Sequence, residues 1–70
     1  MNKKYIVSVE NERTGKILYR KEVDPLELTG TINKLYMKIT KYFKETKRSG
    51  NFIEFENGIV LYWVDKIIAN

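Results

Sequence analysis

Apolar and polar positions alternate from Lys4 to Glu10, with Tyr5, Val7 and Val9 on one side and Ser8, Glu10 and Ile6 on the other. A period of two carried by β-branched and aromatic residues predicts a strand. A second alternation, from Lys16 to Val23, sets Ile17, Tyr19 and Val23 against Arg20 and Glu22. Between the two runs lies Asn11-Glu12-Arg13-Thr14-Gly15, with Gly15 where such a turn needs a left-handed residue. Together they predict a hairpin. The period then changes. Leu28, Ile32, Leu35, Ile39, Tyr42 and Phe43 recur at steps of three and four, the apolar stripe of an α-helix. Asp24-Pro25-Leu26-Glu27 is suited to start it: Asp24 can accept from free backbone N–H groups, and Pro25 fits the first helical position. Gly30 costs about 1 kcal/mol against Ala inside a helix. The expected end is near Arg48, with Ser49-Gly50 as the stop.

Two further β-type runs, Asn51 to Glu56 and Ile59 to Lys66, flank Asn57-Gly58. Asn-Gly between such runs predicts a two-residue hairpin turn, because both turn residues must take positive φ. The expected architecture is α+β, in the order ββαββ: an antiparallel sheet with one amphipathic helix packed on one face, residues 1–70 forming one domain.

A two-residue turn at Asn57-Gly58 sets a definite register, with Glu56 opposite Ile59 and Phe52 opposite Trp63. One face of this hairpin then carries Ile53, Phe55, Val60, Tyr62 and Val64. The other carries Phe52, Ile59, Leu61 and Trp63, with Glu54 and Glu56. One helix covers one face. Either the Ile67-Ile68 segment folds back over the other, or the strand edges curl enough to enclose Trp63, or Phe52, Ile59, Leu61 and Trp63 form a dimer or partner interface, the use that exposed apolar and aromatic patches usually have.

Composition sharpens this picture. Seventy residues bury a small share of their surface, and chains of this size generally need a staple. With no Cys and no His, disulfides, Cys/His zinc sites, thiol nucleophiles and imidazole bases are all excluded. Self-association is the remaining staple, so a homodimer is expected. The apolar stretch Tyr5 to Val9 is too short for a signal-peptide core, and the longest apolar run, Ile59 to Val64, is far short of a membrane span. A cytoplasmic setting is the expectation. Ten Lys, eight Ile and six Asn against one Ala and one Pro indicate an AT-rich coding sequence, as in low-GC bacteria and their phages.

The net charge of +4 is concentrated in the predicted helix. Thr31 to Gly50 holds six cations against Glu45 alone, and Lys34, Lys38, Lys41, Lys44 and Arg48 are expected opposite the apolar stripe. Such a face can neutralise phosphates, although Lys in place of Arg forgoes bidentate contacts. A solvated face is the plainer reading. Glu54 and Glu56, two apart on one strand face, are the only carboxylate pair with the look of acid–base machinery, and a polar strand face explains them better. The four glycines are too scattered for a phosphate loop. No catalytic residue, metal or cofactor is expected. Small size, residue usage and a lack of catalytic groups are in keeping with phage or mobile-element accessory proteins that inhibit a host or defence protein. A nucleic-acid-binding regulator and a nucleotide-sequestering protein are the alternatives.

Overall fold

The computed structural model describes residues 2–68. Its elements are β1 (Asn2–Asn11), β2 (Lys16–Val23), α1 (Pro25–Thr40), β3 (Glu45–Arg48), β4 (Phe52–Phe55) and β5 (Ile59–Ile68). A single 3-10 turn over Glu56–Gly58 joins β4 to β5. All five strands form one antiparallel sheet in the order β2-β1-β5-β4-β3, so the first and last strands lie side by side at its centre. The fold is α+β, as expected. The order is ββαβββ rather than ββαββ, because the segment expected to end the helix forms β3.

The helix stops eight residues early, at Thr40. Thr40 turns its hydroxyl back to the carbonyls of Tyr36 and Met37 (2.9 and 3.2 Å), a local bond that competes with helix continuation. The N–H groups of Tyr42 and Phe43 both go to the Ile39 carbonyl. Tyr42 thus leaves the apolar stripe and stands 79% exposed, whereas Leu28, Ile32, Leu35, Ile39 and Phe43 pack on the core as the periodicity predicts. Glu45-Thr46-Lys47-Arg48 would suit a helix, but here it pairs with Ile53–Phe55 and protects that edge of the sheet. Tertiary pairing overrides local propensity.

The Asp24 carboxylate makes no capping bond. It pairs instead with Lys4 Nζ at 2.9 Å, tying the start of α1 to β1, while the Asp24 carbonyl accepts from the Glu27 N–H.

The core lies between α1 and one sheet face. Val7, Val9, Val23, Ile53, Phe55, Ile59 and Leu61 are buried there, with Tyr5, Tyr19, Tyr36 and Trp63 packed around them. Gly15 takes the expected left-handed conformation, φ 75°. The other turn is more instructive. Asn57 and Gly58 both take positive φ, 64° and 79°, and the Ile59 N–H closes the turn on the Glu56 carbonyl, as a two-residue Asn-Gly turn requires. Yet the strands beyond it pair one residue out of the expected register: Phe52 with Tyr62, Ile53 with Leu61, Glu54 with Val60. Glu56 is the cause. Its N–H donates to the Lys44 carbonyl and its Oε1 accepts from the Lys44 N–H (2.8 Å), so Glu56 leaves the β4–β5 ladder. A slip of one residue reverses which faces of two strands coincide.

Three stability changes follow. A Cβ on Gly58 would meet Arg13 Cγ at 2.8 Å and Asn11 Oδ1 at 3.2 Å, at a φ that L-residues avoid. Gly58→Val should cost about 2 kcal/mol or more in urea unfolding. Asn57→Gly should be nearly neutral. Gly30 sits in α1 with open space around its missing Cβ, so Gly30→Ala should add about 0.5–1 kcal/mol.

Candidate functional site

With α1 on one side, the other side of the sheet has no second layer among the described residues. By alternation this free face carries Lys4, Ile6, Ser8 and Glu10 from β1, with Lys66, Val64, Tyr62 and Val60 opposite them on β5. Arg20 and Glu22 of β2 flank Ser8 and Ile6; Phe52 and Glu54 of β4 flank Tyr62 and Val60; Lys47 of β3 lies beside Glu54. The middle of the face is apolar. Ile6, Phe52, Val60 and Tyr62 are partly or wholly buried by their neighbours, and Val64 is 40% exposed. Ser8, fully buried at the centre, accepts a long bond from Arg20 Nε at 3.4 Å. The Tyr62 hydroxyl donates to Glu10 Oε2 at 2.7 Å and holds its ring across the strands. A hollow of about 310 Å³ opens between Phe52, Tyr62 and Val60, rimmed by Glu12, Glu54 and Asn51.

The charges of this face nearly cancel, Asp24 standing at the edge beside Lys4. Lys4, Arg20, Lys47 and Lys66 stand against Glu10, Glu12, Glu22 and Glu54, and Lys66 pairs with Glu22 at 2.8 Å. That pairing holds the Glu22 carboxyl below its usual range. Since the chain as a whole is +4, the entire excess lies on the helix side, the edges and the turns.

The four residues expected to share an interface are divided. Phe52 is on the free face. Ile59 and Leu61 are buried beneath α1, and Trp63 packs against the same core. The one-residue slip explains this: Val60, Tyr62 and Val64 replace Ile59, Leu61 and Trp63 as the neighbours of Phe52. Only knowledge that Glu56 leaves the ladder would have revealed it. β5 runs straight on to Ile68, so this segment does not fold back over the face.

The basic residues are also divided. Lys34 and Lys38 are on α1, beside β2; Lys41 caps the helix; Lys44 is in the following turn; Arg48 is on β3. They form no continuous helical face. Arg48 is already engaged. Its Nη2 donates to Glu45 Oε1 at 2.7 Å, its Nε to Glu45 Oε2, and its guanidinium lies 5.6 Å from the Tyr36 ring centre. The Tyr36 hydroxyl donates to the same Glu45 oxygen at 2.7 Å, joining α1 to β3. Glu54 and Glu56 do not share a face either: Glu54 is on the free face and Glu56 is bound to the Lys44 backbone.

No helix among the described residues is long and apolar enough to cross a membrane. Comparison of the chain with protein-family models, curated proteins and solved structures finds no match.

The bonds from Arg48 and then Tyr36 hold the Glu45 carboxyl down to about 2, and Glu45 in turn pushes the Tyr36 hydroxyl up. A carboxyl depressed in the folded state stabilises above its unfolded value, near 4.5, and that contribution disappears as pH falls towards 2. Urea midpoints measured from pH 6 to pH 2 should therefore fall on acidification, and Glu45→Gln should lower the neutral-pH midpoint and flatten this part of the profile.

Proposed function

We propose that the chain is a non-catalytic binding protein that acts as a homodimer, with two copies meeting through the free sheet face. The observation that carries this reading is the character of that face: an apolar centre of Ile6, Phe52, Val60, Tyr62 and Val64 within a ring of nearly balanced charge. Two copies carrying +4 each repel one another in general. On this face four cations meet four carboxylates, with Asp24 paired to Lys4 at its edge, so contact here carries little net repulsion. The carboxylates Glu10, Glu12 and Glu54 gather at one end of the strands and Lys4 and Lys66 at the other. A two-fold axis lying in the interface, across the strands, sets each acidic end on the partner's lysine end and stacks apolar centre on apolar centre. The result is a two-sheet sandwich with the helices outside, which supplies the second layer that a single sheet lacks.

Size limits the affinity. Five strands about 4.8 Å apart, over roughly 20 Å of their length, present on the order of 500 Å² of flat area per copy, near the lower bound for specific association. Micromolar dimerisation is the expectation. The dimer is then the unit that engages a macromolecular target, the role expected of so small a chain without catalytic side chains.

Sedimentation equilibrium across the micromolar range tests the reading. The wild type should shift from monomer to dimer with concentration, and Val64→Glu should abolish the shift. Leu26→Glu, at a helix position 99% exposed on the opposite side, should leave it intact. A chain that stays monomeric at hundreds of micromolar, or a Val64→Glu variant that dimerises normally, contradicts the proposal.

A further inference from the structure

On the helix side, a cleft of about 280 Å³ opens between α1 and the edge strand β2. Lys21 lines it from the strand, Lys34 and Lys38 from the helix. Tyr19 and Leu35 give it apolar walls, Thr31 adds a hydroxyl, and Glu27 is its one carboxylate.

Three features of this cleft are poorly explained by folding alone. The first is the position of Lys21. The helix-facing side of β2 reads Tyr19, Lys21, Val23, and Lys21 pairs across to Val7, which is completely buried. Alternation calls for an apolar residue there, and a lysine stands in its place. The second is Lys34 and Lys38, one helical turn apart. Like charges at this spacing destabilise a helix. The third is that Lys21, Lys34 and Lys38 converge on one space while, like Lys16, Lys41, Lys44 and Lys47, taking part in no ion pair or side-chain hydrogen bond among the described residues. Three unneutralised ammonium groups thus surround one concave space, on the side of the sheet that holds the chain's excess positive charge.

We propose that this cleft is an anion site for phosphate groups, with Lys21, Lys34 and Lys38 as the charged ligands and the Tyr19 and Thr31 hydroxyls as neutral donors. Ammonium groups are compact point charges that bind phosphate without the planar geometry of a guanidinium. The volume admits one or two phosphates with part of what they are attached to, and the Tyr19 ring offers an apolar surface for the remainder. The phosphate can come from a free nucleotide or from a nucleic-acid backbone; the chemistry at the lysines is the same. Lys41 and Lys44 lie outside the cleft and are not part of the site. The site is on the opposite side of the sheet from the dimer surface and does not depend on it.

Isotope-labelled full-length protein at low salt, titrated with inorganic pyrophosphate and separately with a short single-stranded RNA, tests the site. Pyrophosphate should shift the resonances of Tyr19, Lys21, Lys34 and Lys38 and leave Lys41 and Lys44 in place. Lys21→Gln and Lys38→Gln should each weaken binding about tenfold, the loss of one charge-assisted contact. Lys21→Met, which keeps the apolar stem, should lose as much, while Lys41→Gln should lose nothing. RNA binding that depends on Lys21 and falls steeply with salt supports the site and assigns the phosphate to a polymer. Pyrophosphate binding alone supports it and assigns a small ligand. Absence of binding to both probes, or binding that Lys21→Gln leaves unchanged, overturns the proposal.

Discussion

The structure depends on the pairing of its first strand with its last. β1 and β5 run antiparallel through ten residue pairs, from Asn2 with Ile68 to Asn11 with Ile59. Nothing local brings them together; the rest of the chain lies between them, and closing that loop must be offset by what the pairing buries. Its middle is accordingly the best-buried part of the molecule, where Val7, Ser8 and Leu61 are fully inaccessible. The other strands are secured to this pair. β2 adds to the outer edge of β1, β4 to β5, and β3 to β4. The Glu12 N–H donates to the Gly58 carbonyl, joining the two turns at one end of the pair, and the Lys4–Asp24 contact places the start of α1 near the other.

One consequence is an imbalance of layers. A five-stranded sheet has two faces to cover and the described residues supply a single α-helix, so the apolar content of the central strands is split between a covered core and a free face. The charges divide along the same boundary. The free face is close to neutral, and the excess of positive charge lies around the helix and edges, with three lysines converging on the α1–β2 cleft. A face with little net charge suits association between like-charged copies, and an electropositive cleft on the reverse suits an anion. The proposed dimer and the proposed phosphate site follow from this partition and make no competing demand on any side chain.

Much of this was legible in the sequence. Alternation gave the faces of β1 correctly, Tyr5, Val7 and Val9 against Ile6, Ser8 and Glu10, and those of β2 from Tyr19 to Val23; Ile17, expected beside Tyr19, instead pairs with Glu10 across a bulge and is half exposed. It also grouped the residues of β4 and of β5 correctly within each strand. Asn57-Gly58 forms its turn with both residues at positive φ. The largest failures of expectation came where a residue distant in sequence had intervened. Lys44 draws Glu56 out of the ladder, and one residue of slip exchanges Ile59, Leu61 and Trp63 for Val60, Tyr62 and Val64. Residues 45–48, compatible with a helix on their own, become a strand because β4 offers an edge to pair with. Loss of that last helical segment also scattered the expected basic face. Lys21, by contrast, was visible: it shares its parity with Tyr19 and Val23, and a lysine in an otherwise apolar register is a signal that alternation alone exposes.

Two copies are proposed to meet through the free face of the sheet, in the register that places Phe52, Val60, Tyr62 and Val64 together. Isotope-filtered NMR on an equimolar mixture of labelled and unlabelled chains reads this directly, since it reports only contacts between copies. Dimerisation through this face should give intermolecular contacts from the methyl groups of Ile6, Val60 and Val64 to the rings of Phe52 and Tyr62, and none to Leu28, Leu35 or Trp63. Contacts confined to the helix side, or intermolecular contacts from Trp63 together with Phe52, would contradict it.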